Sequence, residues 1–116
     1  MRVPNWESAV IPRAKIVDYL LSRSHRDGRH KEAFFSRLGF STEDGDALVR
    51  ALRKHVSEND VAKVEPSPFG ICYVVEGIME SPSGRTALVR SVWFIDEGED
   101  LPRFVTAYPI RARQRT

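Results

Sequence analysis

Residues 71–95 read ICYVVEGIMESPSGRTALVRSVWFI, two apolar runs separated by a short polar segment. The run from Ile71 to Met79 and the run from Thr86 to Ile95 are rich in β-branched and aromatic residues, a composition typical of β-strands. The segment Ser81-Pro82-Ser83-Gly84 between them has the composition of a tight turn. The sequence here therefore predicts an antiparallel hairpin.

Two further strands are predicted on either side of this hairpin. The acidic segment from Glu97 to Pro102 is typical of a turn, and the run from Arg103 to Tyr108 predicts a last strand before Pro109 blocks its continuation. A short run from Val61 to Val64 predicts a first strand. The second half of the chain should therefore form a four-stranded antiparallel meander.

The first half of the chain has helical periodicity instead, with apolar residues recurring three and four positions apart. Three helices are predicted: Pro12 to Ser22, about His30 to Leu38 with Gly39 as a left-handed cap, and a third that Ser41 caps and that ends at Asn59-Asp60. Helices followed by a meander predict an α+β fold, with N-terminal helices packed on a C-terminal antiparallel four-stranded meander whose other face is open. We expect a single domain over residues 1–110 and a basic tail over residues 111–116.

The composition is that of an ordinary folded domain. The chain has 116 residues, of which 29% are charged, with a formal net charge of +2. Its one cysteine excludes an internal disulfide framework and leaves a cysteine-rich metal site without ligands. The longest apolar run has five residues, against the ~20 that a membrane-spanning helix needs, and the N-terminus lacks the apolar region of a signal peptide. We therefore expect a cytoplasmic protein with no metal, no cofactor and no membrane partner.

A basic segment separates the first two predicted helices. Residues 23–31 read RSHRDGRHK and carry four cations and two histidines. Such a run is often only a solvated loop. In the other interpretation His25 or His30 is a catalytic base, because a positive field lowers the pKa of imidazole and keeps a neutral base available near pH 7. The RNA-binding residues predicted beside it are Arg23, Arg26, Arg29 and His30.

A neutral histidine beside positively charged side chains suits a ribonuclease that needs no metal. A base removes the proton of the 2′-hydroxyl, an acid protonates the leaving 5′-oxygen, and a cation stabilises the negative charge that develops on the phosphorane.

Strand alternation assigns the side chains of the last two strands to faces. In the third strand Leu88, Arg90, Val92 and Phe94 lie opposite Val89, Ser91, Trp93 and Ile95. In the last strand Phe104, Thr106 and Tyr108 lie opposite Arg103, Val105 and Ala107. Arg90 requires a partner or a site, because a lone arginine on an apolar face is costly. Thr106 and Tyr108 are either ordinary strand residues or two hydroxyls presented to a ligand.

Two further residues have structural interpretations. His55 lies at the end of the third helix, where we expect it to interact with the helix dipole. Cys72 lies in an apolar strand, where we expect a small buried side chain without reactivity.

Several short sequence motifs follow one another along the chain at a recognisable spacing. They include VPN at 3–5, DYLLS at 18–22, LGF at 38–40 and, the most specific, PRFVTAYP at 102–109. This pattern resembles a bacterial domain family that has no assigned function, and the resemblance covers roughly residues 3–109. Members of that family stand alone or at the C-termini of longer proteins, an arrangement that is typical of toxin modules.

The order of helices and strands is also similar, more distantly, to the barnase/EndoU/colicin/RelE superfamily of small ribonuclease toxins. That resemblance implies a base from the helical half acting with basic and hydroxyl residues of the sheet. The catalytic residues that it implies here are His25, Lys31, Arg85, Arg103, Thr106 and Tyr108.

The leading hypothesis is a ribonuclease-like toxin module of a toxin–antitoxin or polymorphic toxin system, with RNA as substrate and an antitoxin or immunity protein as partner. The alternative is a non-catalytic module that binds a protein or peptide on the open sheet face. A third interpretation is a structural domain in which Arg85, Arg103 and Tyr108 are individually paired.

The catalytic hypothesis makes a geometric prediction. His25 or His30 should lie within about 10 Å of Arg103, Thr106 or Tyr108, because catalytic groups must reach one phosphate at hydrogen-bond distance.

Overall fold

The computed structural model describes residues 1–16 and 29–110 of the chain. The helices are α1 (Arg13–Lys15), α2 (Arg29–Leu38) and α3 (Gly45–Glu58), with 3-10 turns at Trp6–Ser8 and Thr42–Asp44. The strands are β1 (Val61–Ser67), β2 (Gly70–Glu80), β3 (Thr86–Asp96) and β4 (Arg103–Pro109). Helices followed by four strands confirm the predicted α+β class.

The strands form one antiparallel sheet in the order β1-β2-β3-β4. Each strand pairs with the next one along the chain, so the sheet is the predicted meander. β2 and β3 stay in register over their whole length, from Gly70 opposite Asp96 to Glu80 opposite Thr86. This long hairpin fixes which side chains of β2 and β3 lie side by side.

The hydrophobic core lies between the helices and one face of the sheet. α3 packs against β2 and β3 with the apolar stripe that the sequence predicted. On the sheet side, the rings of Trp93 and Phe104 meet edge to face with their centroids 5.4 Å apart. The largest buried apolar side chains are Val3, Ile16, Phe35, Leu48, Leu52, Val56, Val75, Met79, Trp93 and Phe104.

A β-bulge in β4 changes the faces predicted for that strand. Thr106 lies opposite Val92, but Phe104 lies opposite Trp93, so that Val105 is an extra residue without a partner. Phe104 is therefore buried in the core, and Arg103 lies on the same side of the sheet as Thr106. The predicted alternation, which placed Phe104 with Thr106 and set Arg103 opposite them, is wrong for this physical reason.

One helix boundary differs from the prediction, at the start of α3. The 3-10 turn Thr42–Asp44 follows Ser41, and α3 begins after it with Asp44 as its N-cap, whose carboxylate accepts a hydrogen bond from Ala47 N at 3.3 Å. Gly39 has φ 109° and ends α2 as expected. Within the described part of the chain, no helix is long and apolar enough to cross a bilayer.

The first predicted helix is described only in part. α1 covers Arg13–Lys15, and Ile16 after it is fully buried. The predicted continuation to Ser22 lies outside the described residues.

Candidate active site

The face of the sheet that points away from the described helices carries a mixture of charged, aromatic and apolar side chains. We call it the open face, because none of its side chains is fully buried. Cross-strand pairing defines its members. They are Lys63, Glu65, Cys72, Val74, Glu76, Ile78, Leu88, Arg90, Val92, Phe94, Asp96, Arg103, Thr106 and Tyr108.

A row of three interacting side chains crosses this face. Glu76 of β2 lies opposite Arg90 of β3, which lies opposite Tyr108 of β4. Arg90 Nε donates to Glu76 Oε2 at 2.8 Å, and Arg90 Nη2 lies 2.5 Å from the same oxygen. The guanidinium carbon of Arg90 lies 5.6 Å from the centroid of the Tyr108 ring. Hydrogen bonds of Arg90 to Tyr108 and to Glu76 raise the pKa of the guanidinium.

A shallow depression of about 420 Å³ lies over this row. Lys63 of β1 also lines it and forms an ion pair with Glu65, whose Oε2 lies 2.9 Å from Lys63 Nζ. The depression is lined by Ala62, Lys63, Glu65, Val74, Glu76, Arg90 and Tyr108. It therefore brings together carboxylate, guanidinium, ammonium and phenol groups.

This set of groups fits the chemistry of phosphate esters. A carboxylate can accept a proton, and two neighbouring cations can stabilise negative charge on a phosphorus centre. Both contacts of Arg90 with Glu76 use Oε2, and Oε1 takes no part in them.

A second cluster lies farther along the open face. Arg103 Nε donates to Asp96 Oδ2 at 2.8 Å, and Arg103 Nη2 donates to Asp96 Oδ1 at 3.1 Å. The guanidinium carbon of Arg103 lies 5.2 Å from the centroid of the Phe94 ring. The hydrogen bonds from Arg103 lower the pKa of Asp96. We call this group the Arg103 platform (Phe94, Asp96 and Arg103).

The predicted site residues of the sheet do not meet at one point. Tyr108 lines the depression. Thr106 lies on the same face opposite Val92, but its Oγ1 is buried and has no hydrogen-bond partner. Arg85 precedes β3, and its Nη1 donates to the carbonyl oxygen of Arg37 at 3.4 Å. β3 begins directly after Arg85, and its first residue is eight residues, or ~26 Å of extended strand, away from Phe94 of the platform.

The predicted site residues of the helical half are not tested. Arg29, His30 and Lys31 lie on α2, a helix that contacts β4, but only their backbone is described. Arg23, Arg26 and His25 lie outside the described residues. The predicted approach of His25 or His30 to β4 therefore stays a prediction.

Glu76 and Lys63 were not singled out from the sequence, and Arg90 was noted only as needing a partner or a site. The available signal was the hairpin register, because a turn centred on Ser83 brings residue 76 opposite residue 90.

The structure corrects the interpretation of His55. Its side chain is 1% exposed and, although it belongs to the last turn of α3, it lies in the core. Nε2 lies 3.0 Å from Gly77 O and 3.1 Å from Val89 O, so this nitrogen carries the proton, because carbonyl oxygens only accept. Nδ1 therefore accepts from Ser91 Oγ at 2.9 Å, and Ser91 Oγ accepts from Trp93 Nε1 at 2.9 Å.

Cys72 also differs from the expectation. It lies half-buried on the open face, between Glu65 of β1 and Phe94 of β3, rather than in the core. Burial raises the pKa of its thiol, which disfavours the reactive thiolate. In residues 1–16 and 29–110, no group of three or more His, Cys, Asp or Glu side chains is arranged to hold a metal ion.

A family model for a domain of unknown function, DUF6883, matches residues 2–111. The chain belongs to the DUF6883 family. No curated protein matches its sequence. Among solved structures, the fold is similar to a chain of a contact-dependent growth inhibition toxin–immunity protein complex from Klebsiella pneumoniae 342, with a TM-score of 0.68 and 20% identity. The match covers 87% of this chain and 99% of that one, and at this identity it establishes a common fold for this DUF6883 domain.

Proposed function

We propose that this DUF6883 domain is a ribonuclease toxin module, which cleaves RNA without a metal ion at the depression on the open face. The observation that carries the proposal is the convergence of Glu76, Arg90, Lys63 and Tyr108 on one depression of about 420 Å³. Catalysis at phosphate esters requires a base and positive charge held in place before the substrate arrives, and the Glu76–Arg90 pair supplies both.

The proposed reaction is a transesterification within the RNA strand. Glu76 accepts the proton of the 2′-hydroxyl, the 2′-oxygen forms a bond to the adjacent phosphorus, and the bond from phosphorus to the 5′-oxygen breaks. Arg90 and Lys63 stabilise the charge on the phosphorane, and Tyr108 orients the phosphate or an adjacent base. The products are a 2′,3′-cyclic phosphate and a 5′-hydroxyl end.

The leaving 5′-oxygen needs a proton from an acid. We propose His25 for this role, with Lys31 beside it, in place of the role as base that the sequence suggested for His25. Glu76 takes the role of base because its carboxylate lies in the depression. The basic segment that includes Arg23, Arg26 and Arg29 would then hold the RNA backbone.

The likeness to a chain of a toxin–immunity protein complex supports the biological setting of the proposal. That complex pairs a toxin with an immunity protein. We therefore propose a cognate immunity protein or antitoxin as the partner of this chain.

The first test is cleavage of total cellular RNA by the purified protein in EDTA between pH 5 and pH 9. The proposal predicts discrete fragments with 2′,3′-cyclic phosphate ends from the wild type and a loss of these fragments in His25→Ala. A target RNA with a single 2′-deoxyribose at the cleavage site should resist the wild type, because the attacking hydroxyl is missing. Intact RNA after incubation with the wild type, together with normal growth of cells that express it, would contradict the proposal.

A non-catalytic module that binds a protein or peptide is the second candidate. The observation that favours it is charge balance on the open face, where Lys63, Arg90 and Arg103 each form an ion pair with a carboxylate. This candidate predicts a stable complex with a partner protein that His25→Ala and Arg103→Ala leave unchanged, and no cleavage of RNA.

A further inference from the structure

Arg103 already forms an ion pair within the protein. Two of its N–H groups point at the two oxygens of Asp96, at 2.8 Å and 3.1 Å, in a bidentate ion pair. Such a pair fixes the plane of the guanidinium and occupies its Nε and Nη2 groups. The sequence suggested a catalytic role for Arg103, but its fixed plane also suits a different contact.

The plane of Arg103 is the part of the side chain that can still form a contact. It lies over the ring of Phe94 at 5.2 Å, and 48% of the side chain is exposed. Unpaired bases of RNA stack on aromatic rings and on arginine guanidinium planes, with little preference for sequence. A guanidinium that is backed by a ring and held in place by a carboxylate is a preformed surface for such a base.

The bulge at Val105 places this surface on the open face. Regular alternation from Thr106 would turn the side chain of Arg103 toward the helices, and the one extra residue turns it back. Bulges frequently re-aim a side chain next to a functional site. The same bulge places Phe104 against Trp93, so the position of the Arg103 platform depends on packing in the core.

The platform and the depression lie on the same face of β3. Phe94 and Arg90 are four residues apart, or ~13 Å along an extended strand. Stacked nucleotides in a duplex strand advance only ~3.4 Å each. About four stacked nucleotides would span this distance, and the base that lies on the platform must itself be unpaired and unstacked to reach it.

We propose that the Arg103 platform is a stacking site for a base of single-stranded RNA, one or a few nucleotides away from the phosphate held in the depression. This inference rests on the proposed function and adds to it a substrate class, an unpaired loop or end of RNA. Asp96 is a positioning residue for Arg103 in this account.

The test measures binding of a fluorescently labelled tetranucleotide whose 2′-oxygens are methylated, so that it cannot be cleaved. Arg103→Ala should weaken binding by about tenfold or more, the range reported for removal of a base-stacking side chain. Asp96→Asn should also weaken binding, because Arg103 is no longer held over Phe94. The control is Arg13→Ala, which removes one exposed, ion-paired cation on the helical side and should change binding by less than about twofold.

Two results would overturn the platform. Tighter binding in Asp96→Asn, with a salt dependence steeper by about 0.7 in log–log slope, would mean that Arg103 contacts a phosphate. Equal binding by Arg103→Ala and Arg13→Ala would place the platform outside the path of the RNA. Far-ultraviolet circular dichroism of each variant establishes that it is folded.

Cleavage by the wild type separates this inference from the proposed function. RNA cleavage by the wild type combined with undiminished binding by Arg103→Ala overturns the platform alone. Binding that depends on Arg103, without any cleavage of RNA, supports the platform and contradicts the ribonuclease.

Discussion

His55 shows how one buried side chain connects a helix to two strands. It receives a hydrogen bond from Ser91 and donates to the carbonyl oxygens of Gly77 and Val89, all within the core. Burial lowers the pKa of His55, although the hydrogen bonds to Gly77 and Val89 oppose the shift. The neutral form with its proton on Nε2 is therefore the form that stabilises the fold.

This lowered pKa predicts a loss of stability in mild acid. The unfolded chain takes up a proton on His55 as the pH falls below about 6.5, while the folded chain resists protonation, so the folded state binds fewer protons and is destabilised. The contribution of His55 is fully present above pH 6.5 and is lost progressively below it.

The measurement is the free energy of unfolding in urea at several pH values between 5.5 and 8. His55→Gln should be less stable than the wild type at pH 8, by about 1–3 kcal/mol for a disturbed buried hydrogen-bond network. The difference between the two proteins should shrink as the pH falls. A difference that is constant over this range would mean that His55 is not held neutral in the fold.

Gly77 allows the end of α3 to approach β2 closely. A Cβ atom at this position would lie 2.0 Å from Asn59 Oδ1. Asn59 cannot simply move away, because its Nδ2 donates to the carbonyl oxygen of His55 at 2.9 Å and so satisfies the end of the helix.

Gly77→Ala should therefore destabilise the protein by about 1–3 kcal/mol, the usual cost of overpacking. The measurement is chemical denaturation of Gly77→Ala, Asn59→Ala and the double variant. Asn59→Ala removes the side-chain amide that the added Cβ would strike. Gly77→Ala should therefore destabilise the Asn59→Ala protein less than it destabilises the wild type. Strictly additive effects would contradict a contact between these two residues.

At the scale of the element, β4 contains a bulge that its sequence pattern does not predict. The composition of all four strands and the turn residues between them are local signals, and they predicted the ends of the strands to within a few residues. The bulge is not a local signal. It depends on Phe104 fitting beside Trp93, a contact between two strands that alternation along one strand cannot predict.

Deletion of Val105 tests the role of the bulge. The deletion removes the extra residue, so β3 and β4 can pair regularly with Phe104 still opposite Trp93 and Arg103 still opposite Phe94. We expect a folded protein whose thermal unfolding midpoint is close to that of Val105→Ala, since Val105 is only partly buried. A deletion variant that is severely destabilised beside a stable Val105→Ala would contradict this register.

At the scale of the whole molecule, the fold was predictable from the sequence, but most of the candidate site was not. The order of helices and strands was predictable because each element carries its own periodicity and turn residues. The row of Glu76, Arg90 and Tyr108 was not, because its members are distant in sequence and meet only through the register of three strands. Tyr108 was found by its hydroxyl on the last strand, whereas Glu76 looked like an ordinary polar position.

The central claim is that the depression on the open face is a ribonuclease site, and Glu76→Gln tests it most directly. Glu80→Gln is the matched control, because Glu80 lies four residues farther along β2 and forms an ion pair with Lys54 away from the depression. The rate of cleavage of one defined RNA in EDTA should fall by at least a hundredfold in Glu76→Gln, as for the loss of a general base, and should stay within about twofold of the wild type in Glu80→Gln. Equal rates in Glu76→Gln and the wild type would contradict the claim.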